Sequence, residues 1–124
     1  MSNPLLQKNF TAGGAIAPFR LVRLSAADTV VQASAATDAI IGVQNDVGPA
    51  SGERTDVVMV GMAFVEAGAA FALGALLTSD AQGRAITAAP ATGVNNRIVG
   101  IAIDAALAAG DIVRVQISQC SLQG

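Results

Sequence analysis

Three observations predict an all-β fold, a small barrel or sandwich of short strands behind an extended N-terminal arm. Short apolar segments are separated by turn signals rich in Gly, Asp, Asn and Ser. Near the C-terminus the alternation is strict: Val113, Val115 and Ile117 fall on one face, and Arg114, Gln116 and Ser118 on the other. The Ala-rich pieces Ala67–Ala72 and Ala105–Ala109 are cut off by Gly68, Gly74 and Gly110, so long helices find no place. With 124 residues the chain supports one domain.

Residues 1–18 read as the arm and 19–124 as the β domain. The arm contains Asn3, Pro4, Leu5, Leu6, Phe10 and the Gly13-Gly14 pair, with little strand patterning. Apolar dots on a flexible segment suit an arm that orders on a partner by strand addition or groove filling, or a frayed terminus. Strands are expected at Phe19–Leu24, Thr29–Ala33, Ile40–Val43, Asp56–Val60, Ala63–Glu66, Ala75–Thr78, Arg84–Ala88, Ile98–Ile103 and Ile112–Ser118. Val57-Val58-Met59-Val60 has no polar alternation and should be covered on both faces. Leu76–Thr78 and Arg84–Thr87, around Ser79–Gly83, read as a hairpin in which Gly83 takes positive φ.

An internal echo runs through the chain. Ile40-Ile41-Gly42-Val43, Asp46 and Gly52-Glu53 match Ile98-Val99-Gly100-Ile101, Asp104 and Gly110-Asp111 at a constant offset of 58 residues (100 − 42, 104 − 46, 110 − 52). The central glycines Gly42 and Gly100 suit a sharp bend or a close backbone approach. Gly52 and Gly110 each open a following strand before an acid. The pattern is that of two similar hairpins, or of two duplicated halves closing a small barrel.

Composition narrows the function. Apolar residues make up 52% and charged residues 13%, against about 25% charged in an average soluble domain. A monomer has too much surface to cover with so few charges, so part of the exterior should face protein, and self-association as a dimer or trimer is expected. A membrane span needs about 20 consecutive apolar residues. The stretch between Glu66 and Asp80 is shorter, Gly-interrupted and mostly Ala, and no signal-peptide pattern leads the chain. The expected setting is a soluble protein made in a cytoplasm. Seven scattered basic residues at net charge −2, with no Trp or Tyr, give neither the basic face nor the stacking platform that nucleic acids require.

Catalytic chemistry finds no footing. The chain has no histidine, which removes the commonest general base, the usual nucleophile partner and a favoured metal ligand. Cys120 stands alone, with nothing near it in sequence to activate its thiol. Nearly all nine acids sit in or beside turns, where a carboxylate bonds its own backbone. Asp46, Asp104, Glu53 and Asp111 could gather at one barrel end around a calcium ion, but no EF-hand loop appears. Gly13-Gly14 lacks the Lys-Ser or Lys-Thr of a phosphate loop. Lys8 is the one lysine and lies in the arm, which excludes a lipoyl or biotin carrier. No cofactor is expected.

Several phrases together carry a family resemblance. Ala15–Leu24 (AIAPFRLVRL), Ala39–Asp46 (AIIGVQND), Gly52–Val60 (GERTDVVMV), Gly61–Glu66, Leu73–Thr78 with Asp80 and Gly83-Arg84-Ala85, and Ile98–Asp104 with Gly110–Val115 resemble the capsid cement, or head decoration, proteins of tailed bacteriophages. The likeness runs from about Phe10 to Ile117. It implies a β-rich protein on the outer face of an icosahedral shell, bridging neighbouring major capsid subunits as a dimer or trimer, without catalytic residues. Another virion module (tail or baseplate) and a carbohydrate- or ligand-binding β domain are the alternatives. The want of exposed Trp and Tyr speaks against sugar binding.

Overall fold

The computed structural model describes residues 3–44 and 48–123, with backbone alone for 3–5. Among these residues nine strands form one sheet: β1 (Asn3–Ala12), β2 (Leu21–Ala26), β3 (Thr29–Gln32), β4 (Ile40–Gln44), β5 (Arg54–Glu66), β6 (Leu76–Ser79), β7 (Ala85–Thr87), β8 (Asn95–Ala102) and β9 (Ile112–Gln123). Their order is β1-β3-β2-β4-β5-β9-β8-β6-β7, and β1 also pairs with β5.

That extra pairing closes β1-β3-β2-β4-β5 into a five-stranded barrel. β5 is long enough to serve twice. Its first part pairs with β1 and β4, and its last part, Gly61–Glu66, with β9. The strands β5-β9-β8-β6-β7 make a second ring, closed by a parallel bridge between Ala67 and Ala85. The sequence reading placed two strands, Asp56–Val60 and Ala63–Glu66, where one runs through. Gly61 sits at the crossing with φ +112°, a conformation that glycine adopts without strain, so the strand bends rather than ends.

The two barrels are copies of one another. Val22↔Gly42 corresponds to Leu77↔Gly100, Arg23↔Val31 to Thr78↔Ile86, and the parallel contact Ala12↔Val30 to Ala67↔Ala85. Positions in the first three strands are offset by 55 residues (77 − 22, 67 − 12, 85 − 30), and those of the closing hairpin by 58. The loop before the last strand repeats as well. The Glu53 N–H donates to Ala50 O (3.1 Å) and the Asp111 N–H to Ala108 O (3.3 Å). Each acid side chain also accepts from the N–H three residues back (2.7 Å and 3.3 Å). Gly52 and Gly110 take φ +87° and +97° at matching places.

Each barrel has its own apolar filling. Phe10, Ala12, Ile16, Val22, Val30 and Val57 fill the first, and their counterparts Val65, Ala67, Phe71, Leu77, Ala85 and Val115 the second. Leu21, Ile40, Val43 and Val58 lie on the other side of their strands and pack with the second barrel. This is why the Val57-Val58 run carries no polar alternation: Val57 faces one core and Val58 the next, both buried.

The expected arm differs most from the structure. Its residues Asn3–Ala12 form β1, paired with β5 from Asn3↔Met62 to Thr11↔Arg54, and Phe10 and Ile16 are buried. Core packing thus begins well before residue 19. The hairpin expected around Gly83 is β6–β7, with Gly83 at φ +74°. Asp80 organises its loop, accepting from the Gln82 N–H (2.9 Å) and the Arg84 N–H (2.8 Å).

Candidate functional site

The barrel interiors are filled by side chains, so the outer surface is where a site must be sought. Along β5 the odd-numbered side chains Ala63 and Val65 point inward, and the even-numbered Met62 and Phe64 outward. Cross-strand pairing sets neighbours beside them: Gln116 opposite Met62, Arg114 opposite Phe64, and Ile112 opposite Glu66. Ile101 adjoins Gln116 on one side and Leu76 on the other. On the same side of β5, Val60 is exposed opposite the exposed Leu6 of β1. An apolar face crosses four strands from Leu6 to Ile101.

Charge on this face is concentrated and neutralised. The Arg114 guanidinium donates to both Asp104 carboxylate oxygens at 2.8 Å, and the Arg114 N–H donates to Asp104 at 3.2 Å. Hydrogen bonding from the Arg114 side chain, with lesser help from its backbone N–H and charge, holds the Asp104 carboxyl at about 2. The same bond raises the Arg114 guanidinium further above its ordinary range. Asp104 is thereby committed to an ion pair rather than to a cation site. Asp46 lies outside the described residues, and among those residues no cluster of three acidic, His or Cys groups is found.

The corresponding face of the first barrel is not free. Leu21, Val43 and Val58 stand at the positions of Leu76, Ile101 and Gln116, and the second barrel covers them. Val43 is 1% exposed, whereas Ile101 is 44% exposed. Leu21, Val43 and Val58 share one core with Leu77, Val99 and Ile117 of the second barrel, and the β6–β7 loop closes its edge at Leu21. Gly83 O accepts from the Leu21 N–H (2.8 Å), and Gln82 O accepts from Arg20 Nη1 (2.8 Å) and Gln32 Nε2 (2.7 Å). Arg20 also reaches Glu66 at 3.2 Å, joining the two barrels.

The residues expected from sequence are distributed as follows. Leu6 alone of the arm candidates is a described, exposed side chain on the apolar face; the side chains of Asn3, Pro4 and Leu5 lie outside the described residues, and Phe10 is core. A Cβ on Gly42 would collide with the Val58 carbonyl oxygen, and one on Gly100 with that of Gln116, again 58 residues apart (116 − 58). Gly52 and Gly110 have open space around them and are distinguished by positive φ. Cys120 is exposed beside a shallow polar cleft of about 420 Å³ lined by Asn95, Arg97, Gln119 and Ser121. Sequence reasoning missed Met62, Phe64 and Ile101 as a surface. The parity of Met62 and Phe64 against Ala63 and Val65 was the available signal, but it could not say which face was inside.

A double barrel whose interiors are packed and whose most distinctive feature is an apolar outer face is a structural β module. A family model described as phage cement protein matches residues 4–117. The chain belongs to that family. A solved structure described as the head fiber gp8.5 N base of bacteriophage phi29 is similar over 96% of this chain and 98% of that one, with TM-score 0.68 and 22% identity, which is a likeness of fold. No curated protein matches the chain in sequence.

Proposed function

We propose that the protein binds the exterior of an assembled phage capsid and cements neighbouring major capsid subunits, acting without catalysis or cofactor. The observation that carries this reading is the outer face of the second barrel. Met62, Phe64, Ile101 and Ile112 lie there at least partly in water, on a rigid sheet, in a chain of the cement family. Contiguous exposed apolar patches mark protein contact sites. Leu6 adds β1 to the same contact. The exposed Leu73, in a loop of the second barrel, is available to self-association as a dimer or trimer.

Charge pairing supports a protein partner over nucleic acid. Lys8, Arg20, Arg23, Arg84 and Arg114 each face a carboxylate. A phosphate backbone would find few free cations to replace its counterions. Many copies on one lattice add avidity to modest contacts. The test adds purified protein to expanded, undecorated capsids and heats them. The protein should co-sediment with shells and raise the temperature at which DNA escapes. A protein that stays in the supernatant, or leaves that temperature unchanged, refutes the proposal.

A further inference from the structure

The two barrels meet through unlike surfaces, and the duplication leaves one of each surface over. In the second barrel, Val99 of β8 and Ile117 of β9 are both 0% exposed, and they share one core with Leu21, Val43 and Val58 on the outer face of the first. Strand β4, which carries Val43, packs against both β8 and β9. The same two positions in the first barrel, at the offset of 58, are Ile41 and Met59 (99 − 41, 117 − 59). These pack on the first core but are only partly buried. Gln119 Nε2 donates to the carbonyl oxygens of both. Backbone acceptors at this place are thereby satisfied, and what stays partly in water is apolar. On the second barrel, Leu76 and Ile101 stand where Leu21 and Val43 do, without their cover among the described residues: Leu76 is partly exposed and Ile101 is 44% exposed.

We infer that Leu76 and Ile101 of one copy close over Ile41 and Met59 of a second copy, repeating between molecules the contact that joins the two barrels within one. The occupant is a second copy because each chain carries both halves of that contact twice and uses each half once. None of the residues involved is charged, and Gln116 in place of Val58 is the one polar replacement, as suits the rim of a contact between separately folded chains. Pairing two Ile101 faces with each other would leave Ile41 and Met59 in water. A head-to-tail contact closes into a ring where its rotation permits, and the dimer or trimer expected from composition is such a ring. Met62 and Phe64 lie on β5, beyond β9 from Ile101, and stay available to the shell. The inference goes beyond the capsid-binding reading and is tested without a capsid.

The test uses the purified full chain in solution. By sedimentation velocity at micromolar concentration the wild type should run as a dimer or trimer, and Ile101→Asp, at an exposed position, as a monomer. Leu107→Asp, at another exposed leucine, should keep the wild-type oligomer, and circular dichroism establishes that both variants are folded. The second measurement places single cysteines in a Cys120→Ser background. A short bis-maleimide should link Ile101→Cys to Met59→Cys when the two variants are mixed, and should link neither variant to itself. A monomeric wild type, an Ile101→Asp oligomer of unchanged size, or linkage within the Ile101→Cys variant alone each overturns the inference. All three outcomes leave the capsid reading standing, since that is decided by co-sedimentation with shells.

Discussion

Replacing Gly100 by alanine is the sharpest probe of the duplicated fold. The added methyl would strike the carbonyl oxygen of Gln116 and lie within 3.2 Å of Ile117 Cα, and both obstacles are backbone rather than flexible side chain. β8 and β9 must therefore separate at the Gly100↔Ile117 pair. Overpacking of this kind costs about 1–3 kcal/mol. Opening a ladder hydrogen bond adds about 0.5–1.5 kcal/mol, and restricting the unfolded chain returns roughly 0.4–1 kcal/mol. The expected net loss is about 2–3 kcal/mol, a fall in Tm of roughly 6–15 °C at this chain length. Gly42→Ala should behave alike, because Val58 O stands where Gln116 O does and Val57 Cγ1 is 3.0 Å away. Gly14→Ala is the control: nothing lies within 4 Å of its Cβ and its φ is not left-handed, so Tm should hold or rise. Differential scanning calorimetry of the three variants decides. If Gly100→Ala melts within 1 °C of wild type, the close backbone approach is not what holds glycine at these positions.

Three further outcomes follow from particular contacts. The Asp104 carboxyl sits at about 2 when folded, below its value of 3.8 when free, so its contribution to stability is complete above about pH 4 and fades as pH falls toward 2. The stability gap between wild type and Asp104→Asn, read from urea titrations, should accordingly narrow from pH 7 to pH 2.5; a gap that widens refutes the ion-pair account. Phe10→Ala should cost about 3–5 kcal/mol, since the ring is buried in the first barrel; a loss under 1 kcal/mol by chemical denaturation would restore residues 1–18 as a detachable arm. Leu107→Ser, at a side chain 87% exposed, should leave Tm within about 1 °C, and a larger fall would show that this loop is packed in solution.

What the sequence made legible was the part governed by strict alternation and by turn residues. β9 alternates because one barrel interior lies on one side and water on the other, and its buried set is Val113, Val115 and Ile117 as expected. The β6–β7 hairpin was legible because Gly83 and Asp80 have local jobs that no distant contact alters. β1 was not. Only the last part of its length faces a core, at Phe10 and Ala12, and its pairing with β5 shifts register between Pro4 and Gln7, which scrambles any period of two. The 58-residue echo was visible in the closing hairpins because the close approach at Gly42 and Gly100 tolerates one residue type. The earlier 55-residue echo was not, because core positions accept any aliphatic of fitting size: Val22 stands for Leu77, and Ile16 for Phe71. Even the left-handed positions changed identity, Phe19 for Gly74 and Asp28 for Gly83.

The apolar surplus acquires a specific location from this divergence. Equivalent faces began alike and now meet different surroundings. Beside the covered Leu21 and Val43, part of the first barrel's outer face is polar, with the Arg54 guanidinium bonded to Asn9 and Thr11, and Asn9 bonded to Asp56. The matching positions on the second barrel are Ile112 for Arg54, Phe64 for Asn9 and Arg114 for Asp56. Polar networks are what a sheet face facing water accumulates, and apolar side chains are what a face in contact with protein retains. Around Asn9, Arg54 and Asp56 the first barrel is therefore suited to solvent, and the matching face of the second barrel is suited to the proposed contact. In the proposed attachment the second barrel would face the shell, with Leu6 and Val60 at the margin of the contact. Tethering a bulky tag through a cysteine at Asp56, in a Cys120→Ser background, should leave capsid binding intact. The same tag at Phe64 should abolish it, and equal binding by both conjugates in a co-sedimentation assay would refute the orientation.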